Sequence, residues 1–142
     1  IKSRYEITLE NYCKTIVIEA NTMVDMARTQ IAPAVSAYAS ELAKAAAAKK
    51  ALDSALVCGY ETELVRKLSI LTDKIYAGVT AVENSVLSLA DSEDIGVESA
   101  LIRDKVLARM SELRVACDEA ETLTAKSYWP YPTYADLLFS VQ

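Results

Sequence analysis

The sequence predicts an all-α protein: an antiparallel up-down-up bundle of three long helices followed by an aromatic C-terminal tail. Three observations carry this. Only three Gly and three Pro occur in 142 residues, too few to punctuate many short strands. Ala, Leu, Glu and Lys, all good helix formers, fill long stretches. Apolar residues recur at alternating steps of three and four, which places them along one side of a helix. With 52% hydrophobic residues, one domain spanning 1–142 has enough apolar surface for a core.

The first helix is predicted over about 3–57. Its seam begins Tyr5, Leu9, Tyr12, Ile16, Met23, Met26. After Pro33 it resumes through Val35, Tyr38, Leu42, Ala45, Leu52 and Leu56. Pro33 lacks an N–H and its ring crowds the preceding turn, so a kink, or a break near 29–32, is expected there. Unbroken, such a helix is roughly 80 Å long. Gly59 is expected to stop it as a residue able to take positive φ.

The second helix is predicted over about 61–90, with Glu61 and Glu63 at the positive end of its dipole. Its seam is Leu64, Leu68, Leu71, Ile75, Gly78, Val82, Leu89. Gly78 on that seam predicts close approach of another helix. The run Asp91 to Gly96 reads as a turn; it lacks the twelve-residue spacing of a calcium loop. The third helix is predicted over about 97–128, with the seam Ile102, Val106, Met110, Leu113, Cys117, Ala120.

Two helices of about 45 Å cover only half of the first. The uncovered half is expected to be the N-terminal one, leaving Tyr5, Leu9, Tyr12 and Ile16 as an interaction stripe. In the tail, 129–142, Pro130 and Pro132 end the helix. Tyr128 and this tail hold half of the aromatic residues. Trp129, Tyr131, Tyr134, Leu137, Leu138 and Phe139 therefore read as a docking segment, with Thr133 capping a short helix over 134–140. The dock is either this bundle or a neighbouring subunit.

The chemistry that the sequence excludes is broad. There is no His, which removes the commonest general base and metal ligand and all Ser-His-Asp or Cys-His catalysis. No Gly-rich phosphate loop is present. Cys13, Cys58 and Cys117 form no zinc or redox spacing and read as small reduced side chains. The net charge of -5 disfavours nucleic acid and anionic membrane as partners. The cluster Lys44, Lys49, Lys50 reads as a solvated face. No run of about 18 apolar residues occurs, and no signal peptide is visible, so a cytoplasmic location is expected. Glu19 falls on the first seam and calls for a partner such as Arg103, or for an uncovered position. Glu10–Lys14 and Glu63–Lys67 have the spacing of surface ion pairs without functional content. Catalytic, cofactor-binding and metal residues are all predicted to be absent.

Three stretches resemble one family. The first runs from Arg4-Tyr5-Glu6-Ile7 through Ile18-Glu19-Ala20-Asn21-Thr22-Met23-Val24-Asp25-Met26-Ala27 to Ile31-Ala32-Pro33-Ala34-Val35. The second is Arg103-Asp104-Lys105-Val106 with Met110-Ser111-Glu112-Leu113-Arg114. The third is Trp129-Pro130-Tyr131-Pro132-Thr133-Tyr134-Ala135-Asp136-Leu137-Leu138-Phe139. Together they resemble the C-terminal domain of type III glutamine synthetases, the long bacterial form. The family often has Pro where Ala108 stands and an aromatic near Leu101 or Ile102, which affects the path of the third helix.

The resemblance implies a piece of a longer enzyme, in keeping with a chain that begins Ile1-Lys2-Ser3. It implies a large homo-oligomer of stacked rings, most simply a dodecamer. It further implies a parent reaction that amidates glutamate with ammonia using ATP and Mg, carried out by upstream domains. The expected role is accessory: holding the upstream catalytic domain or neighbouring subunits of the same enzyme. The alternatives are a metabolite-sensing bundle, with Glu19, Gln30 and the tyrosines as its polar groups, and a free-standing structural bundle.

Overall fold

The computed structural model describes residues 4–90 and 97–132, with the side chains of 5–10, 90 and 97–99 excepted. The elements are α1 (Arg4–Met26), a π-helical turn (Ala27–Ile31), α2 (Ala32–Leu52), α3 (Gly59–Ala90) and α4 (Val97–Leu123). No strand occurs among the described residues. Right-handed helical φ and ψ at Met26, Ile31 and Ala32 carry α1 into α2 without a break.

Pro33 leaves its mark as a change of hydrogen-bond register. The Ala32 N–H donates to the Ala27 carbonyl, five residues back. An α-helix would bring the Pro33 ring against the carbonyl one turn earlier. The wider turn is a π-bulge that accommodates a ring no tight turn can. Pro33 itself lies in the first turn of α2, where its missing N–H is least costly.

The core runs along one continuous seam on each helix. On the first it is Ile16, Ala20, Val24, Ala27, Ile31, Val35, Ala39 and Leu42. This corrects the predicted seam. Met23 lies partly buried at its edge and Met26 is half-exposed, while the small residues Ala20 and Ala27 are enclosed. Ile16, Ala20 and Val24 already stand four apart before the wide turn, and three further steps of four through it, from Ala27 to Ala39, keep one face inward. On α3 and α4 the predicted seams hold. Leu68, Leu71, Ile75 and Val82 are buried, as are Val106, Met110, Leu113, Cys117 and Ala120. Burying each large aliphatic side chain contributes about 1.5–3 kcal/mol. Gly78 faces Leu113: a Cβ there would lie 3.1 Å from Leu113 Cδ1 and 3.5 Å from its Cα. The expected close approach is therefore α4 itself.

Two helix ends differ from expectation. The first helix stops at Leu52, not near 57, because Asp53 is extended and its side chain accepts the Ala55 N–H at 2.9 Å. Asp competes in this way with helical bonding through a local Asx turn. Gly59 does not terminate that helix. It begins α3, and no glycine among the described residues has positive φ. The third long helix ends at Leu123 rather than 128, and residues 124–129 continue through turn hydrogen bonds such as Tyr128 N–H to the Ala125 carbonyl, 2.9 Å.

Cross-helix pairs fix which part is covered. Arg28 pairs with Glu83, and Lys49 with Glu61, so the α3 partner number falls as the first helix rises. On α4, Arg103 lies over the Tyr12 ring, 5.4 Å from its centroid. Arg114, Cys117 and Asp118 share a groove with Ile18 through Ile31. α4 therefore travels beside α1, and the Ile16 region is enclosed. Beyond it, α2 packs against α3 and projects towards the 53–58 loop.

Candidate interaction surface

The predicted stripe on the first helix is divided by the structure. Ile16 is only 2% exposed, which removes it from any free surface. The reason is the reach of α4, which extends down α1 as far as Tyr12. Tyr12 stays half-exposed, 49%, beneath the Arg103 guanidinium in a cation–π arrangement. The side chains of Tyr5 and Leu9 lie outside the described residues. In the tail, Trp129 and Tyr131 are half-buried and pack on the core. Tyr134, Leu137, Leu138 and Phe139 lie outside the described residues, as does the Asp91–Gly96 turn.

At the opposite end Leu52 and Leu56, expected on the inward seam, lie instead on the surface, because the helix stops at Leu52. Leu52 is 83% exposed and Val57 86%, with Leu56 and Tyr60 beside them also open to solvent. The loop carrying them is well held. Leu56 N–H donates to the Asp53 carbonyl at 3.0 Å, and Lys50 Nζ to the Ser54 carbonyl at 3.2 Å. Cys58 is buried, its thiol 3.8 Å from the Ala46 carbonyl. Lys49 and the buried Glu61 close the base of the loop. The Lys49 ammonium and Glu61's own backbone hydrogen bond hold the carboxyl below the usual carboxylate range. The available signal was a run of apolar residues, Ala55 to Val57, at a turn that ordinarily carries polar ones.

Between this tip and the body lies a tyrosine cluster. The Tyr38 and Tyr60 hydroxyls are 3.4 Å apart, and the Tyr38 and Tyr128 rings meet at 5.1 Å with a 45° tilt. The hydrogen bond to Tyr60 and partial burial push the Tyr38 phenol up to about 12.

A groove of about 390 Å³ runs between α1 and α4, lined by Ile18, Glu19, Thr22, Met23, Met26, Ile31, Arg114, Cys117 and Asp118. Glu19 is exposed on its wall, so the seam carboxylate is solvated and not buried. Arg103, its expected partner, has Asp104 at 3.8 Å and Tyr12 instead. Gln30 is exposed, and the polar groups named for a metabolite site do not converge. Glu63–Lys67 forms the expected surface pair at 3.2 Å. Cys117 is buried, and burial together with nearby Asp118 pushes its thiol up to about 11. Among the described residues no group of three His, Cys, Asp or Glu side chains is placed to hold a metal ion. No described helix is long and apolar enough to cross a membrane.

Comparison with known proteins agrees with the resemblance. Residues 1–50 match the family described as glutamine synthetase C-terminal domain. A glutamine synthetase from Butyrivibrio fibrisolvens is 34% identical over 142 residues, covering 100% of this chain and 20% of that protein. A type-3 glutamine synthetase from Dictyostelium discoideum is 26% identical over 143 residues, covering 98% of this chain and 20% of its own length. No solved structure matches the chain. It thus spans about a fifth of the length of these relatives. The chain is similar to the C-terminal domain of glutamine synthetases over residues 1–50 and, along its whole length, to a fifth of each of these two enzymes.

Proposed function

We propose that these 142 residues form the accessory and assembly domain of a type III glutamine synthetase. The parent reaction would be the ATP- and Mg-dependent amidation of glutamate with ammonia, with its catalytic and metal groups supplied by the rest of the enzyme. The observation that carries the assembly role is the α2–α3 tip: four open apolar side chains at the joint end of the two helices, around a loop held by its own hydrogen bonds. An exposed apolar cluster on an ordered support marks an interaction site. Its partner is the remainder of the same enzyme, either its own catalytic domain or a neighbouring subunit of a cytoplasmic homo-oligomer. Tyr12 and, beyond the described side chains, Tyr5 and Leu9 extend the surface at the other end.

The up-down-up arrangement belongs to this reading. The falling order of the pairs Arg28–Glu83 and Lys49–Glu61 supports it, as does the parallel course of α1 and α4. The wide turn before Pro33 supports a bend in the first helix axis. The tail from Trp129 onward is read as a docked segment because its first aromatic residues already pack on the core.

The test uses the complete synthetase. Leu52, Leu56 and Val57 are replaced together by Ser, and particle mass and activity are followed in solution. Smaller or less stable assemblies are expected, with activity falling as they dissociate. Native particle mass and full activity over the working concentration range would overturn the role of the tip.

A further inference from the structure

The α1–α4 groove is open, and the described chain ends beside it. We propose that residues 133–142 of this same chain fill that groove. Its walls are apolar through Ile18, Met23, Met26 and Ile31, and Ile18 is 66% exposed. The path of the chain leads there. Tyr128 packs on Tyr38, above the groove. Tyr131 is then half-buried against the core, with its hydroxyl enclosed and lacking a hydrogen-bond partner among the described residues. Burial and the proximity of Asp25 and Cys117 raise its pKa, and Cys117 lines the upper end of the groove. Between 128 and 131 the chain has therefore turned back from α2 towards α1.

Reach and composition fit. Ile31 to Ile18 spans about 20 Å of helix. Ten extended residues reach up to about 33 Å. Tyr134, Leu137, Leu138 and Phe139 are apolar, and Asp136 is the one charged side chain in the segment. Arg114, on the groove wall, is 75% exposed and has Asp118 only at 4.0 Å, so it is open to a second carboxylate. A second copy or a foreign peptide would compete with a tethered segment present at an effective concentration of about millimolar. Of the two docks open to the tail, the proposal chooses its own chain. It is independent of the tip, which is tested on the assembled enzyme.

The chain's methionines supply the probe. Met23 and Met26 line the groove, whereas Met110 is buried in the core. Peroxide converts exposed Met to its sulfoxide. The rates at all three are measured by peptide mass spectrometry in the 142-residue chain, in the chain ended after Pro132, and in the full-length Leu138→Asp variant. The ratio of Met23 and Met26 oxidation to Met110 oxidation is expected to rise about tenfold in both altered proteins. Because the ratio is internal, general loosening of the helices does not imitate the effect. An unchanged ratio would overturn the proposal and leave the tail to another partner. Protection that fades on dilution of the intact chain would overturn it in favour of a neighbour's tail.

Discussion

The two halves of the first long helix live in different surroundings. From Ile16 to Ile31 it lies against both α3 and α4, and its inward residues are almost wholly enclosed. From Leu42 onward it relies on α3, and the joint end of the two helices presents Leu52, Leu56, Val57 and Tyr60 to solvent. The second half is the more apolar in sequence, yet it is the one with fewer neighbours. An apolar helix face is core where two partners flank it and an exposed apolar end where one does.

The largest effect that distinguishes them is on stability. Leu113 is 1% exposed and seats against Gly78. Leu113→Ala is expected to lower the unfolding free energy by about 2–5 kcal/mol, through lost transfer energy and a cavity between close-packed helices. Val57→Ala, at the tip, should change it by less than about 0.5 kcal/mol. Urea unfolding of both variants, with comparable slopes, measures the contrast. Similar losses at the two sites would mean that the tip is a structural element of the isolated chain and not a surface held open for another.

Much of this was legible in the sequence, and the misses have a common cause. The seams of α3 and α4 could be read directly because large aliphatic residues mark them at helical spacing. The first seam runs one residue beyond Met23 and Met26, through Val24 and Ala27, because the small residues Ala20 and Ala27 carry little pattern signal. The enclosure of Ile16 has another cause. Periodicity tells which face of a helix is buried, but not how far along its neighbour a second helix reaches. That offset depends on where Asp53 stops one helix and where Leu123 ends another, and a shift of a few residues moves the covered stretch along the first helix. Ile16 is enclosed for this reason, and Leu52 and Leu56, which periodicity places on the seam, lie open where no second neighbour reaches.

A weaker test sharpens the contrast at the base of the tip. Glu61 has a depressed pKa in the folded chain because Lys49 bonds its ionised form. The sign follows from linkage. The ionised carboxylate contributes stability above its unfolded pKa, near 4.3, and that contribution is lost as pH falls through the lower folded value. Thermal melts taken from neutral to acid pH should show the native chain losing more stability across this window than Glu61→Gln does. Parallel curves for the two proteins would show that the pair holds nothing in place.

The smallest effect lies in the tyrosine cluster where the two halves meet. Tyr38 accepts or donates a hydroxyl bond with Tyr60, packs on Tyr128, and has its phenol pushed up to about 12. Raised above the ordinary value near 10, the neutral phenol is the form the fold prefers. Its contribution is thus complete below pH 10 and disappears as pH climbs towards 12. Tyr60→Phe removes the leading cause while keeping the ring. Alkaline titration of phenolate absorbance should then show one tyrosine moving down from about 12 towards the ordinary value, with the melting temperature near neutral pH little changed. If the high titration survives in Tyr60→Phe, burial beside Tyr128 rather than the bond to the tip holds Tyr38 neutral. The mechanical link between the projecting end and the enclosed half would then rest on ring packing alone.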